Sequence, residues 1–329
     1  AFQTYLNKRG FTSISDMPVN EVSKLIGYHV LYYSYNKEKL VNFRPTGSTE
    51  TEEEQNIKAG LYYKHRTRSS DAPTVETTPT GASVMVYHLE RYLPIFSYRY
   101  FQTKGIDAKN NYEAFYPNST WTGDDGFNVS NASVKEYGII ANNGYIHAVD
   151  RVVEPLETIY TELKNKEKYS TFLDLYDSFG VYVADDELSK SYAKAYGVDT
   201  LYQYQHGGLP NIACEWPTSS YLNFTALTAL SYSIFAPSNT AINSFFDSFW
   251  KIGGYSSMQE VDALALNYFL YQFIYGGSML FPEELGDDEL KNLAGSSLNI
   301  NPAALNEKTM CVNGALYGCL LYTSDAADE

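Results

Sequence analysis

The sequence predicts two tandem copies of one domain type, each built from helices and strands, and three internal echoes carry that expectation. NGYIHAVDRVVEP at 143–155 reads as a closing strand and returns, cut short, as VNGALYG at 312–318. GYHVLYY at 27–33 returns as LYQFIYG at 270–276, matching Tyr28 with Tyr271 and His29 with Gln272. AFQTYL at the start returns as AINSFF at 241–246, matching Ala1 with Ala241. The echoes keep their order, and their period is too long for a solenoid. A closing strand near mid-chain therefore means that a second copy begins after Pro155.

Each element has a local reason. Asp16 and Pro18 mark the start of a helix that puts Val22, Leu25, Ile26 and His29 on one apolar face. FSYRYF at 96–101 has the aromatic content of a strand, with apolar residues on both faces. An aromatic-rich insertion follows. Asn143-Gly144 offers the positive φ angles of a tight turn, and 145–153 reads as a strand stopped by Pro155. Ile146, Ala148, Asp150 and Val152 would share a face of that strand, where Asp150 needs hydrogen-bond donors. In the second copy a short strand breaks at Pro237, and Ser238 or Asn239 caps a helix. Ile242, Phe245, Phe246 and Phe249 fall on one face of that helix, which Gly253-Gly254 ends.

Composition narrows the function classes. The chain has 329 residues, enough for two domains of roughly 100–200 residues each. Its net charge of −15, concentrated in the second half, argues against a protein that tracks nucleic-acid phosphates. Cys214, Cys311 and Cys319 show neither metal-ligand spacing nor a disulfide framework. No apolar run reaches membrane-spanning length, and no targeting signal is visible at Ala1. The closing CLLYTSDAADE, 319–329, resembles the translated end of a sequencing adapter and is set aside from the fold, Cys319 with it.

FAPSNTA at 235–241, the Tyr28-His29 pair and NGYIHAVDRVVEP together resemble the first signature, central tyrosine-histidine motif and second signature of fasciclin-like domains. The resemblance makes 1–155 a first copy that lacks its N-terminal part and carries a long insertion. Residues 156–318 become a second copy with a truncated closing strand, and 319–329 an adapter-derived tail. It implies the α+β class, each copy an incomplete wedge of β-strands packed with helices. The matching positions are Tyr28, His29, Asn143, Gly144, His147, Asp150, Phe235, Ala236, Pro237, Asn313 and Gly314, read as structural. The second copy departs from the pattern at Gln272 and Tyr317, where histidines are expected. Gly138-Ile139 and Lys308-Thr309 stand where animal members carry an Asp-Ile pair linked to integrin adhesion.

The resemblance also implies a non-catalytic adhesion or binding protein whose partner is an extracellular protein, matrix or glycan. With the adapter-like tail and low cysteine content, it suggests a bacterial metagenomic fragment at the cell surface or in the periplasm, lipid-anchored through an upstream segment. No catalytic residue, cofactor, metal or nucleic acid is expected. Tyr112, Phe115, Tyr116 and Trp121 are the favoured binding residues, because aromatics on a loop can offer flat faces to a sugar or extended peptide. The competing role for them is a lid over the strands. A glycan-binding surface lipoprotein is the second reading. The third is a Cys/His hydrolase built on His206 and Cys214, which needs a spatial triad that spacing does not supply. His29 and His147 read as packed histidines.

Overall fold

The computed structural model describes residues 1–41, 64–88, 90–102, 104–214, 231–276, 278–286, 289–298, 300, 305 and 307–319. The fold is α+β. The described residues form two compact units. Unit 1 holds Ala1–Leu156 and Ala184–Gln203; unit 2 holds Glu157–Val183, Tyr204–Cys214 and the described residues from Ser231 onward. Ala184–Gln203, which the sequence assigns to the second copy, thus groups with unit 1.

Unit 1 opens with α1 (Phe2–Lys8) and a short turn in which the Asp16 carboxylate accepts from the Ser13 and Thr12 amides at 2.8 and 3.1 Å. Helix α2 (Val19–Tyr28) starts directly after Pro18, whose fixed φ and missing N–H suit a helix entrance. After α3 (Lys37–Val41) come β1 (Lys64–Ser70), a hairpin of β2 (Thr74–Thr77) and β3 (Ser83–Val86), and β4 (Glu90–Phe96). Helices α4 (Tyr98–Gln102) and α5 (Ala108–Phe115) precede β5 (Asn128–Val129), β6 (Ala132–Ala141) and β7 (Gly144–Val149). The sheet runs β1–β4–β5–β6–β7, every pair antiparallel. Gly138, at φ +75°, sits where the β6–β7 register slips, a bulge that a residue with a Cβ would strain. Tyr28, Leu93, Ile95, Phe127, Val129 and Val153 belong to the core beneath.

Four local expectations change. FSYRYF is not one strand: β4 ends at Phe96 and α4 begins at Tyr98. Neighbouring residues of a helix point about 100° apart, so Tyr100 and Phe101 are both buried, whereas a strand would send them to opposite faces. The 142–143 turn uses no positive φ, since neither Asn143 nor Gly144 lies in that region. Strand β7 ends at Val149, well before Pro155, because the Asp150 carboxylate takes the Ser133 amide at 2.9 Å and closes the ladder itself. Its expected inner face is also reversed: Ile146 is exposed, while His147 packs on Phe127 and Val149 on the core.

In unit 2, Thr158 caps α6 (Ile159–Lys164), and α7 (Ser170–Asp177) follows. Strands β8 (Gly180–Ala184) and β9 (Tyr202–His206) carry the chain out of this unit and back; between them, in unit 1, lies α8 (Asp186–Tyr192), capped by Asp185. Strand β10 (Tyr232–Pro237) leads into α9 (Asn239–Phe245), whose Ser238 hydroxyl accepts from the Ala241 amide at 3.3 Å. The helix widens into a π turn at Phe246–Trp250, and Gly254, at φ +105°, lies just beyond it. Ile242 is buried, with Phe245 and Phe246 packed on the same core. Helix α10 (Ala263–Tyr271), β11 (Ile274–Gly276), β12 (Glu307–Cys311) and β13 (Gly314–Cys319) complete the unit. Its sheet runs β11–β10–β13–β12, with β10 parallel to β13 and the other pairs antiparallel. The Cys319 backbone pairs with Pro237, so the strand includes a residue that the sequence assigns to the tail. Residues 320–329 lie outside the described residues.

Candidate functional site

The motif residues capable of chemistry are bound to backbone groups. In unit 1 the Tyr28 hydroxyl donates to the Tyr92 carbonyl at 2.9 Å. His29 ends α2, and its Nε2 accepts from the Val153 amide at 3.1 Å, which leaves Nδ1–H to donate to the Leu25 carbonyl at 2.8 Å. Although exposed at its edge, the ring is fixed through both nitrogens. His147 carries the opposite tautomer: Nδ1 accepts from Gly138 at 3.4 Å and Nε2–H donates to the Tyr35 carbonyl at 3.0 Å. Asp150 is half-buried; burial raises its carboxyl pKa, but Arg151 and the Ser133 amide outweigh that and hold it below the usual carboxylate value.

Unit 2 shows the same economy. Phe235 stacks on Tyr317 with ring centroids 5.1 Å apart, and Ala236 is buried opposite Gly318. Asn313 ties three segments together: its Oδ1 accepts from Ile159 at 2.9 Å, and its Nδ2 donates to the Ile212 and Cys214 carbonyls at 2.8 and 3.1 Å. A Cβ on Gly314 would collide with the Tyr232 carbonyl, so glycine at this position permits the parallel approach of β10 to β13.

The aromatic insertion is not an exposed platform. Tyr112, Phe115 and Trp121 are buried and Tyr116 is half-buried. Trp121 lies 5.5 Å from the Phe101 ring and 5.2 Å from Tyr112, and its indole N–H donates to Asp124 at 2.8 Å. The Tyr112 hydroxyl donates to the Ser130 carbonyl at 2.9 Å and accepts from Asn128 at 3.0 Å, and burial pushes its pKa well up. Helix α5 makes this possible, because its spacing turns Tyr112 and Phe115 toward the same side. The favoured ligand residues therefore serve as a packed aromatic layer with Phe96, Tyr100 and Phe101. The exposed flat faces that the binding expectation relied on are packed within the unit, apart from the half-buried Tyr116.

A second constellation was not foreseen. His206 is buried in unit 2, with Nε2 at 3.1 Å from Asp177. Asp177 also accepts from the hydroxyls of Tyr204 at 2.9 Å and Tyr160 at 3.2 Å. The rings of Tyr176, Tyr204 and Tyr160 enclose the imidazole, and burial, with Asp177 adding to it, pushes the Tyr204 phenol far up. Tyr204 and His206 are two apart on β9, so alternation alone places them on one face. Asp177 ends a helix far upstream and could not be paired with them from spacing. His206 Nδ1 has no hydrogen-bond partner, so the His206–Cys214 pair required by the hydrolase reading is not formed. His206 is thus held by Asp177 inside a cage of three tyrosine rings.

Among the described residues, the β6–β7 hairpin of unit 1 is one place where apolar side chains are exposed together. Ile140 is 84% exposed and pairs across the strands with Tyr145, itself exposed. Tyr137 is exposed nearby, with the Lys37 ammonium 4.7 Å above its ring. Beside the far end of β7, Phe2, Ile26, Val30 and Val149 help to line a cleft of about 380 Å³ with mostly apolar walls. Among the described residues no group of three His, Cys, Asp or Glu side chains could hold a metal ion, and no helix is long and apolar enough to cross a membrane.

No protein-family model matches the sequence, and no curated protein matches it either. Among solved structures, the chain is similar to a FAS1 domain pair from the insect cell adhesion molecule fasciclin I, at 12% identity, with 92% of this chain and 81% of that chain covered and a TM-score of 0.32.

Proposed function

We propose that the chain is a non-catalytic binding or adhesion protein of two fasciclin-like domains, 1–155 and 156–318, acting at the cell surface through contact with an extracellular protein or matrix. The observation that carries this reading is the exposed apolar hairpin of Tyr137, Ile140 and Tyr145. Apolar side chains exposed side by side form the kind of contiguous patch that marks interaction sites, and these three share one hairpin. The arrangement of the motifs supports the family reading: FAPSNTA and VNGALYG, distant in sequence, provide the paired strands β10 and β13. The matched motif side chains are engaged by the scaffold, so recognition falls to side chains left exposed on the hairpin, Tyr145 within the second signature and Tyr137 and Ile140 before it.

The test is an Ile140→Asp, Tyr145→Ala double variant, compared with the parent in an adhesion assay on extracellular matrix proteins and in a thermal melt. Both side chains are exposed, so the melt is expected to stay within a few degrees while adhesion falls at least tenfold. Unchanged adhesion removes the hairpin from the proposal, and a glycan array run alongside separates sugar from protein partners. The lipid anchor is tested separately, by radiolabelled palmitate incorporation into the full-length gene product.

A further inference from the structure

Asn-Gly occurs at two places in the sequence, Asn143-Gly144 and Asn313-Gly314, and each glycine opens the second strand of a hairpin, β7 in one case and β13 in the other. The dipeptide is chemically fragile, because glycine has no Cβ to keep its backbone nitrogen away from the asparagine side-chain carbon. Whether that nitrogen reaches the carbon depends on what holds the side chain and the glycine amide. The two units treat the same dipeptide in opposite ways.

In unit 2 the pair is locked. Asn313 is buried, its Oδ1 accepts from the Ile159 amide, and its Nδ2 donates to the Ile212 and Cys214 carbonyls, so both ends of the carboxamide are committed. Gly314 is paired along both edges of its strand, with Cys311 of β12 and Tyr232 of β10. In unit 1 the pair is loose. Asn142 and Asn143 are exposed, and the Asn143 side chain makes no hydrogen bond to any described residue. Among the described residues Gly144 pairs along one edge only, with Ala141, because β7 is the last strand of its sheet. Ala141–Gly144 is the end pair of the ladder, so freeing the Gly144 amide disturbs that pair and leaves the rest of the sheet intact.

We propose that Asn143 is a self-modifying site, which deamidates through Gly144 to aspartate and isoaspartate while the fold keeps Asn313 intact. The Gly144 nitrogen bonds to Asn143 Cγ and gives up its proton, and the Cγ–Nδ2 bond breaks to release ammonia, leaving a succinimide. Water then adds to one of the two ring carbonyls and opens the ring. Scission at Cγ restores the ordinary main chain with an aspartate side chain. Scission at the main-chain carbonyl leaves isoaspartate, in which the chain runs through Cγ and gains one carbon. Either product replaces a neutral amide with a carboxylate at the hairpin tip, where Ile140 and Tyr145 are the next pair of the ladder. Isoaspartate also lengthens the turn and presents a free α-carboxylate, the group that an isoaspartyl methyltransferase esterifies with S-adenosylmethionine.

The test ages the full chain at mildly alkaline pH, folded and, in parallel, unfolded in guanidinium chloride. Peptides are then mapped by mass spectrometry and by transfer of a radiolabelled methyl group from S-adenosylmethionine with an isoaspartyl methyltransferase. In the folded chain the peptide carrying Asn143 is expected to take up the label and to deamidate about tenfold faster than the one carrying Asn313. In the unfolded chain the two are expected to react at similar rates, since only the fold separates them. Gly144→Ala is expected to keep the melting temperature, because the added Cβ meets only the Ser34 side chain, at 3.5 Å, and Gly144 lies outside the left-handed region. The same variant is expected to slow the reaction of Asn143 by about tenfold, because the methyl shields the attacking nitrogen. The comparison of folded with unfolded parent does not depend on how any variant folds. Equal rates at the two asparagines of the folded chain overturn the proposal. So does a folded Asn143 that stays intact over the period in which the unfolded chain reacts, or a folded Gly144→Ala chain that reacts as fast as the parent.

Discussion

His65 shows how burial alone can make one side chain sensitive to pH. It is fully enclosed in β1 of unit 1 beside the Tyr35 ring, 4.6 Å away, and burial drives its pKa down to about 4 against the opposing effect of a hydrogen bond to the Leu40 backbone carbonyl. His88 is lowered for the same leading reason. As pH falls from the ordinary 6.5 toward 4, the unfolded chain binds protons that the folded chain refuses. Stability is therefore complete above pH 6.5 and declines through that window, by about 3 kcal/mol from His65. The expected outcome is a urea midpoint that falls between pH 7 and 4.5, with a visibly shallower fall in His65→Gln; equal slopes in both proteins would remove His65 as the cause. His29 and His147 differ in kind. Both read as packed histidines from their helix and strand positions, and the tautomer of each depends on a backbone partner distant in sequence, Val153 in one case and Tyr35 in the other.

At the scale of elements, the aromatic layer around α5 and β4 is the clearest case of a pattern with two physical meanings. Aromatic residues between turn formers suit an exposed binding loop and a packed lid equally well, and composition cannot separate them, because the difference lies in what the rings face. Trp121 faces Phe101 and Tyr112. Replacing it with Ala is expected to cost about 3–5 kcal/mol in a denaturation experiment, while Tyr116→Ala, at the half-buried rim, is expected to cost about 1–2 kcal/mol. Comparable small losses in both would return the insertion to the surface. Elements with purely local causes were readable in advance: Pro18 at the entrance of α2, Ser238 capping α9, and the breaking of β10 at Pro237. The end of β7 was not, because Pro155 gave the expected stop while Asp150 bonded to Ser133 gives the observed one. The Asp177–His206 centre was half readable, from the alternation on β9, and its carboxylate was hidden by distance along the chain.

For the molecule as a whole, the two units have separate apolar clusters, one around Tyr28, Ile95 and Phe127 and one around Phe172, Ile234 and Phe269. Both histidines with lowered pKa values lie in unit 1. Mild acid should therefore act unevenly: after correction for intrinsic rates, amides of β1 and β4 are expected to lose exchange protection between pH 7 and 5 while those of β10 and β13 keep theirs. Equal loss in both sheets would contradict this. The repeat that foretold two copies could not foretell the unit 1 membership of Ala184–Gln203, since that segment has no echo in the first copy. The parallel pairing of β10 with β13 also sets an order of events during synthesis. Tyr232 leaves the ribosome about 80 residues before its partner Gly314, and a closure that long is slow. The apolar YSIFAP segment can pair with β11 on one edge, but its other edge stays open until the final hairpin β12–β13 has been made, so a translational pause between them lengthens the time in which that edge can meet the wrong chain.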